Sequence, residues 1–514
     1  MLFNSVTFLV FLAIVYLVYW NLRGVARQYF LVLASVLFYA YWGLESEGWW
    51  GLRWTVHFLS MVGINYLFVR AMMRRTAPDR RRLLAVNVLI NLSNLGVFKY
   101  FAFVRMILVD LGVPVPEAAR EVDLFLPLAI SFYTFQLIAY SVDVARDIIT
   151  ENPGFRRYFL FILFFPQLIA GPIMRSTDFM GQIDDPKINK RRLYDGGWLI
   201  IGGLLKKVLL ADPMGFIIAP VFREPQTYNA WSLLLAGMGF SLQVYCDFSG
   251  YTDIARGAAR LLGYEIPENF LAPYFSRNAR ELWGKRWHIT LNTWLRDYIY
   301  IPLGGSRVSR FRTHMNLAVT FMIGGLWHGA DYSYIIWGVS WGLLLALERI
   351  LEDDLGIQTT PKNNRFLLVL KILFMFFLFS LGAIMFRSQR VVYPAPDTRS
   401  YSSGYIMGEM FAGLALNTPD AARDDYAAAG ADPALTEAVF GPEIFTLNDI
   451  GHSETFLYMF AALIFFHVIQ YRPGLFERWR RYDFWLILLA GAITGGILLP
   501  TMAEAAHQFI YFVF

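Results

Sequence analysis

"MNLAVTFMIGGLWHGADYSYIIWGVSWGLLLAL", residues 315–347, decides how this chain is read. Both flanks are apolar enough for lipid, yet His328 stands in the middle with Gly324, Gly325 and Gly329 around it. An ionisable side chain inside an apolar run is costly, so it marks a candidate functional site. The alternative is a core histidine satisfied by its neighbours. The glycines let backbone or substrate approach closely.

The rest of the sequence is of the same kind. Its 514 residues are 56% hydrophobic and 17% aromatic with 17% charged, and the mean hydropathy is +0.43. Those values exclude a soluble globular protein. Apolar runs at 2–20, 27–44, 50–70, 83–108, 124–142, 199–221, 231–246, 315–347, 366–386, 454–470 and 483–500 recur along the chain. At about 20 residues per crossing they predict an all-α polytopic membrane protein with roughly 11–13 spans in a single domain, 1–514. A β-barrel would need short alternating segments and is excluded. The first run lacks the basic start and small-residue cleavage site of a secretory signal, so this helix is expected to be retained.

Basic residues orient the chain, because short cytoplasmic loops carry excess Lys and Arg. Arg23 and Arg27 follow the first run, and Arg70, Arg74, Arg75, Arg80, Arg81 and Arg82 follow the third. Both loops are expected in the cytoplasm, which puts the N-terminus in the periplasm. The loop at 43–50 and the region of Asp110, Glu117, Glu121 and Asp123 are acidic, in agreement. Residues 391–453 carry nine acidic residues against two arginines and read as a periplasmic insertion between a 1–390 core and the C-terminal spans of 454–514. The net charge of +5 follows from topology and is no nucleic-acid signal.

The stretch 158–174 has basic residues on both sides, Arg156 and Arg157 before it and Arg175, Lys187, Lys190, Arg191 and Arg192 after it. Its "FFPQLIAGPIM" breaks a helix with two prolines and a glycine, so it reads as re-entrant, a kinked ordinary span being the alternative. Cys246 is the sole cysteine and reads as packing; no intramolecular disulfide is possible. The absence of a phosphate-binding glycine loop and of a His-Glu-x-x-His helix disfavours an ATP-driven pump or a zinc protease.

The remaining chemistry lies in three clusters. His328 is the first. His288 is the second, within "ELWGKRWHITLNTWLRDYIYIPLGG" (281–305), where Trp287, Leu291, Trp294 and Leu295 share a helical face and Lys285, Arg286, Arg296 and Asp297 supply charge. This reads as an interfacial or re-entrant helix, either a surface anchor or a binder of a phosphorylated cosubstrate. The third holds Asp247, Asp253 and Arg256; Asp253 and Arg256 can pair along a helix, whereas Asp247 has no such local partner. His57, His452, His467 and His507 look incidental, and His314 sits in a basic loop.

"LPLAISFYTFQLIAYSVDV" (126–144), "FPQLIAGPIMR" (165–175), "LLKKVLLAD" (204–212), "YCDFSGYTDIA" (245–255), "RWHITLNTWLRDYIYIPLGG" (286–305) and "GGLWHGADYSYIIWG" (324–338) together resemble the membrane-bound O-acyltransferase family, in its bacterial polysaccharide branch. The resemblance covers most of residues 1–390. One departure is "LWGKRWH", where relatives carry Phe-Trp-Arg-Arg before Trp-His. The resemblance implies tilted helices around a central waist, with His328 and His288 as the family's two catalytic-site histidines. It further implies acetyl-CoA as donor, no metal, and His328 as general base; neutral imidazole suits the removal of a hydroxyl proton. Asp247, Asn269, Trp327 and Asp297 are second-tier site candidates. Lys285, Arg286 and Arg296 are candidate contacts for CoA phosphates, or simply positive-inside markers. The implied setting is a bacterial inner membrane, with a periplasmic SGNH-type acetyl-transfer protein and a polysaccharide synthase complex as partners. A proton-coupled transporter and a non-catalytic subunit of an export complex are the rival readings.

Overall fold

The computed structural model describes residues 1–387, 407–411, 453–472 and 483–504, apart from positions 121, 123, 170, 224, 226, 227, 362, 363 and 409. Most of the 391–453 insertion, the loop 473–482, His452, His507 and the terminal "FIYFVF" lie outside these residues. Among the described residues the elements are helices, with no β-strand. The expected all-α polytopic architecture is therefore the observed one. By length and hydropathy alone, five helical stretches qualify as membrane crossings: Gly24–Met72, Ala77–Asp110, Tyr332–Asp354, Arg365–Arg387 and Glu454–Tyr471. Other apolar runs fold into helices too short, too polar or too interrupted to qualify singly, as Val6–Asn21 illustrates.

The N-terminal part comprises α1 (Val6–Asn21), α2 (Gly24–Glu47), α3 (Leu52–Met72) and α4 (Ala77–Leu95). Three buried asparagines join α3 to α4: Asn87 and Asn91 each donate to Asn65 Oδ1 at 2.8 Å, and Asn65 donates back to Asn91 at 3.2 Å. Such amide networks hold apolar helices together where water cannot compete. A single π-helical turn, Gly96–Tyr100, carries α4 into α5 (Phe101–Asp110). The run 124–142 is not helical throughout. Its helix, α6 (Ile130–Ala145), starts only after Ala129, which sits in the left-handed region at φ 59°.

The segment with basic residues on both sides turns back on itself. Helix α7 (Gly154–Leu163) ends at Phe164, and the amide of Phe165 donates to Ser35 Oγ at 3.2 Å instead of continuing the helix. Arg157, at its start, pairs with Asp184, beyond its end, so both ends lie on one face. Next come α8 (Lys190–Leu204), a π-helical stretch Leu205–Ala211, α9 (Asp212–Arg223) and the long α10 (Ala230–Leu261).

The 315–347 run is where the structure departs most from a simple crossing. It folds as two antiparallel helices, α12 (Arg310–His328) and α13 (Tyr332–Arg349), with α11 (Ile289–Leu295) preceding them. Asp331 caps α13 by accepting from the Ser333 amide at 2.8 Å. At the other end Asp354 meets Arg310 and His314, each at 3.4 Å, closing the hairpin. Close packing explains the glycines. A Cβ on Gly325 would lie 2.1 Å from the Tyr334 carbonyl oxygen, and one on Gly338 would lie 2.3 Å from that of Phe321. A Cβ on Gly329 would fall within 1.9 Å of the Tyr334 ring. These glycines admit the neighbouring helix, the small-residue packing typical of membrane bundles. Helices α14 (Arg365–Arg387), α15 (Ser453–Tyr471) and α16 (Asp483–Glu504) complete the described bundle.

Because backbone atoms crowd Gly338, Gly338→Ala is expected to cost about 1–3 kcal/mol of stability. Gly63→Ala, whose Cβ would meet nothing within 4 Å, serves as the control. Thermal unfolding in detergent measures both; equal midpoints would contradict the close packing of α12 on α13.

Candidate active site

His328 is the last residue of α12, and it is buried. Its ring packs against Trp327, Trp337 and Phe386 with centroids 4.9–5.3 Å away. Two small clefts meet at it. One, of about 40 Å³, is lined by Lys99, Ser131, Ile169, Trp327 and the 126–132 segment. The other, of about 20 Å³, is aromatic and aliphatic, formed by Phe240, Val244, Trp287, Trp337, Phe379 and Phe386. A cleft that carries Lys99 and Ser131, called the polar cleft below, and an apolar one thus both reach the same imidazole.

His288 reaches the same place from a broken helix. The amphipathic stretch 281–305 is not one continuous helix: a π-turn at Leu282–Arg286 ends at Trp287, His288 takes a left-handed conformation at φ 44°, and α11 begins after it. Trp287, Leu291, Trp294 and Leu295 all point into the protein, as their shared face predicts. Trp294 stacks on Phe135 at 3.7 Å and donates its indole N–H to the Phe135 carbonyl at 3.0 Å. The side-chain pattern therefore survives while the backbone breaks, and the break turns His288 inward. Its ring centroid lies 6.4 Å from that of His328 and 5.7 Å from Trp327.

The tautomer of neutral His288 follows from its neighbours. Asn269 Oδ1 accepts from the Thr290 amide at 3.2 Å and from Thr290 Oγ1 at 2.9 Å, and it lies 3.1 Å from His288 Nδ1. Thr290 Oγ1 in turn accepts from the Ile173 amide at 3.0 Å, which tethers the re-entrant segment to this network. An oxygen acceptor facing Nδ1 requires Nδ1 to carry the proton. Nε2 then presents a lone pair; it is buried without a hydrogen-bond partner among the described residues. Asn269 is thus the residue that orients His288, and Trp327 packs against both imidazoles.

The other candidates lie elsewhere. Asp247 is buried on α10 but pairs with Lys207 at 2.7 Å, and Lys207 pairs with Asp212 at the same distance. Adjacent Phe248 is what faces His288, with centroids 4.7 Å apart. The partner that the local sequence does not supply to Asp247 comes from the π-helical stretch between α8 and α9. Lys206, beside it, binds Ser249 at 2.6 Å and pairs with Asp253. Arg286 is turned inward onto Glu281 at 2.7 Å and onto the carbonyls of Leu271 and Ala272. Arg296 and Arg175 both pair with Asp297 at 2.6 Å. Burial works against the charge on Asp297, but those two guanidinium groups hold its carboxyl below the usual carboxylate range. Lys285 is exposed and has no ion pair among the described residues. His467 is more than incidental. It is buried, its Nδ1 lies 3.0 Å from the Leu463 carbonyl and its Nε2 accepts the Tyr274 amide at 3.2 Å, tying α15 to the 270–275 loop.

Lys99 is the residue that sequence reading passed over. It enters from the π-turn between α4 and α5 and donates to the backbone carbonyls of Trp327 at 2.6 Å and His328 at 3.2 Å. The signal was present, since Lys99 is a cation inside the apolar run 83–108.

A buried histidine where two clefts meet, with a second one 6.4 Å away, fits a membrane acyltransferase, and the likenesses of the chain agree. Residues 144–387 match the membrane-bound O-acyltransferase family. The chain is 36% identical over 370 residues to a probable alginate O-acetylase of Pseudomonas putida, covering 70% of this chain and 73% of that one. It is 33% identical over 379 residues to a peptidoglycan O-acetyltransferase of Helicobacter pylori, covering 68% and 70%. A teichoic acid D-alanyltransferase of Bacillus subtilis is 30% identical over 275 residues, covering 50% and 68%. The chain belongs to the membrane-bound O-acyltransferase family, and it is an O-acyltransferase.

Because Lys207 bridges buried Asp247 and partly buried Asp212, Lys207→Met is expected to cost about 3–5 kcal/mol, the range for breaking a buried ion pair. Denaturation in detergent measures it. An unchanged midpoint would mean that this cluster is not what holds α9 to α10.

Proposed function

We propose that this protein takes an acetyl group from acetyl-CoA on the cytoplasmic side and delivers it toward the periplasm for O-acetylation of an exported polysaccharide, directly or through an acetyl-transfer protein. The relatives named for alginate, peptidoglycan and teichoic acid all bear names of cell-envelope or exported polymers, and the common chemistry is acyl transfer. The observation that carries the mechanism is the placing of His328 where the polar and apolar clefts meet, with His288 beside it.

His328 acts as the general base. As the acceptor oxygen attacks the thioester carbonyl carbon, the imidazole takes the hydroxyl proton. The tetrahedral intermediate collapses, the carbon–sulfur bond breaks, and the imidazolium returns its proton to the departing thiolate. Atoms and charges balance within this one exchange.

His288 positions the acceptor. With its Nδ1 proton committed to Asn269, Nε2 accepts a hydrogen bond from a neighbouring hydroxyl or N–H of the bound acceptor, which leaves the single proton of the attacking hydroxyl to His328. Among the three cations considered for CoA phosphates, Lys285 has no ion pair among the described residues, whereas Arg286 and Arg296 are already neutralised by carboxylates. The excess of arginine in loops such as 70–82 supports an inner-membrane orientation with that face in the cytoplasm.

Purified protein in liposomes with labelled acetyl-CoA and a glycan or periplasmic acceptor tests the reading. His328→Ala is expected to lower transfer by about 10²–10⁴-fold, the range for a lost acid–base group, while insertion and folding persist. His288→Ala is expected to lose about 10–100-fold, as for one buried hydrogen bond. Full transfer by folded His328→Ala would overturn the mechanism, and no transfer by wild type to any acceptor would overturn the function.

A further inference from the structure

The carbonyls at the end of α12 need partners. The last turn of any helix leaves carbonyl oxygens without intrahelical donors, and water is not at hand in a buried site. Here the helix ends inside the bundle at His328, followed by Gly329 in extended conformation, whose amide reaches the Gly325 carbonyl only at 3.4 Å. The three preceding carbonyls are taken by two consecutive residues of another element. Tyr100 donates its hydroxyl to the Leu326 carbonyl at 2.7 Å. Lys99 takes the carbonyls of Trp327 and His328, and its third proton goes to Ser131 Oγ at 3.3 Å. An ammonium has three donors, and all three are used.

The π-turn makes this possible. It adds one residue to the turn at Gly96–Tyr100, so the helix that would otherwise run straight through 77–110 presents Lys99 and Tyr100 together toward α12. The cation also sits at the negative end of the α12 dipole, where positive charge is favoured. Ser131 belongs to the first turn of α6, so the ammonium joins α12, α6 and the π-turn at the wall of the polar cleft.

We propose that Lys99 is a positioning residue for acyl transfer: by clamping the Trp327 and His328 carbonyls to the start of α6, it holds the His328 imidazole at the junction of the two clefts. This rests on the reading of His328 as the base. The backbone that carries His328 leaves the helix at Gly329, so no further helical turn holds it. The clamp supplies that stiffness, and a displacement of about 1 Å at a reacting group can cost about 100-fold in rate.

Three variants test it, each assayed for kcat and KM per folded molecule and for melting temperature. Lys99→Met is expected to lower kcat by about 10–100-fold with both KM values within about threefold of wild type. Lys99→Arg keeps charge and donors but displaces them, and it is expected to fold normally with an intermediate kcat. Tyr100→Phe releases only the Leu326 carbonyl, one residue further from the imidazole, and is expected to keep kcat within about threefold. Should Lys99→Met fail to fold, Lys99→Arg carries the test: an intermediate kcat per folded molecule supports the clamp. Wild-type kcat in folded Lys99→Met, or in Lys99→Arg, while His328→Ala is inactive, overturns the proposal and leaves the base intact. So does a loss of activity in either variant that only follows the loss of folded protein. Transfer by His328→Ala instead overturns the underlying mechanism.

Discussion

A helix that ends away from water must hand its last carbonyls to other parts of the protein, and the end of α12 is where this chain meets that constraint most sharply. The carbonyls of Leu326, Trp327 and His328 are satisfied by Tyr100 and Lys99. Much of the surrounding architecture serves that arrangement. The Asn65–Asn87–Asn91 network fixes α4 to α3, and the π-turn then delivers Lys99 and Tyr100. On the other flank, glycines at 325 and 338 let α13 press against α12, so the hairpin has one packed geometry.

The second histidine depends on a different device. A left-handed residue interrupts the 281–305 stretch, and the same interruption aims the His288 side chain at the site. Asn269 and Thr290 then choose which ring nitrogen carries the proton. The re-entrant segment contributes through the Ile173 amide, so an element with no ionisable residue in the site still sets the chemistry of one that has. Asn269 Oδ1 and Thr290 Oγ1 are engaged and restrain the ring, while His288 Nε2 is left without a partner among the described residues.

Sequence reading reached the all-helical membrane fold, and it singled out two histidines that the structure brings within 6.4 Å of each other, because composition, apolar runs and ordered motifs are local signals. It did not reach the hairpin. Hydropathy stays high on both sides of residues 329–331, and the capping role of Asp331 is small beside that signal. Nor did side-chain periodicity reveal the break at His288, since Trp287, Leu291, Trp294 and Leu295 face inward on either side of it. Asp247 looked partnerless because Lys207 is distant in sequence. The role of Lys99 was hidden for a related reason: the residue stands out as a cation in an apolar run, but its acceptors are backbone atoms more than two hundred residues away, and a backbone carbonyl leaves no residue-type signature.

In the proposed mechanism one buried imidazole serves a donor and an acceptor on opposite faces of the membrane. Proteoliposomes with a single protein orientation test it directly, with labelled acetyl-CoA outside and the acceptor sealed within. Acetyl label on the enclosed acceptor is expected, with an equal amount of free CoA outside and none within, all dependent on His328. Label reaching the acceptor only when both substrates share one compartment would contradict it.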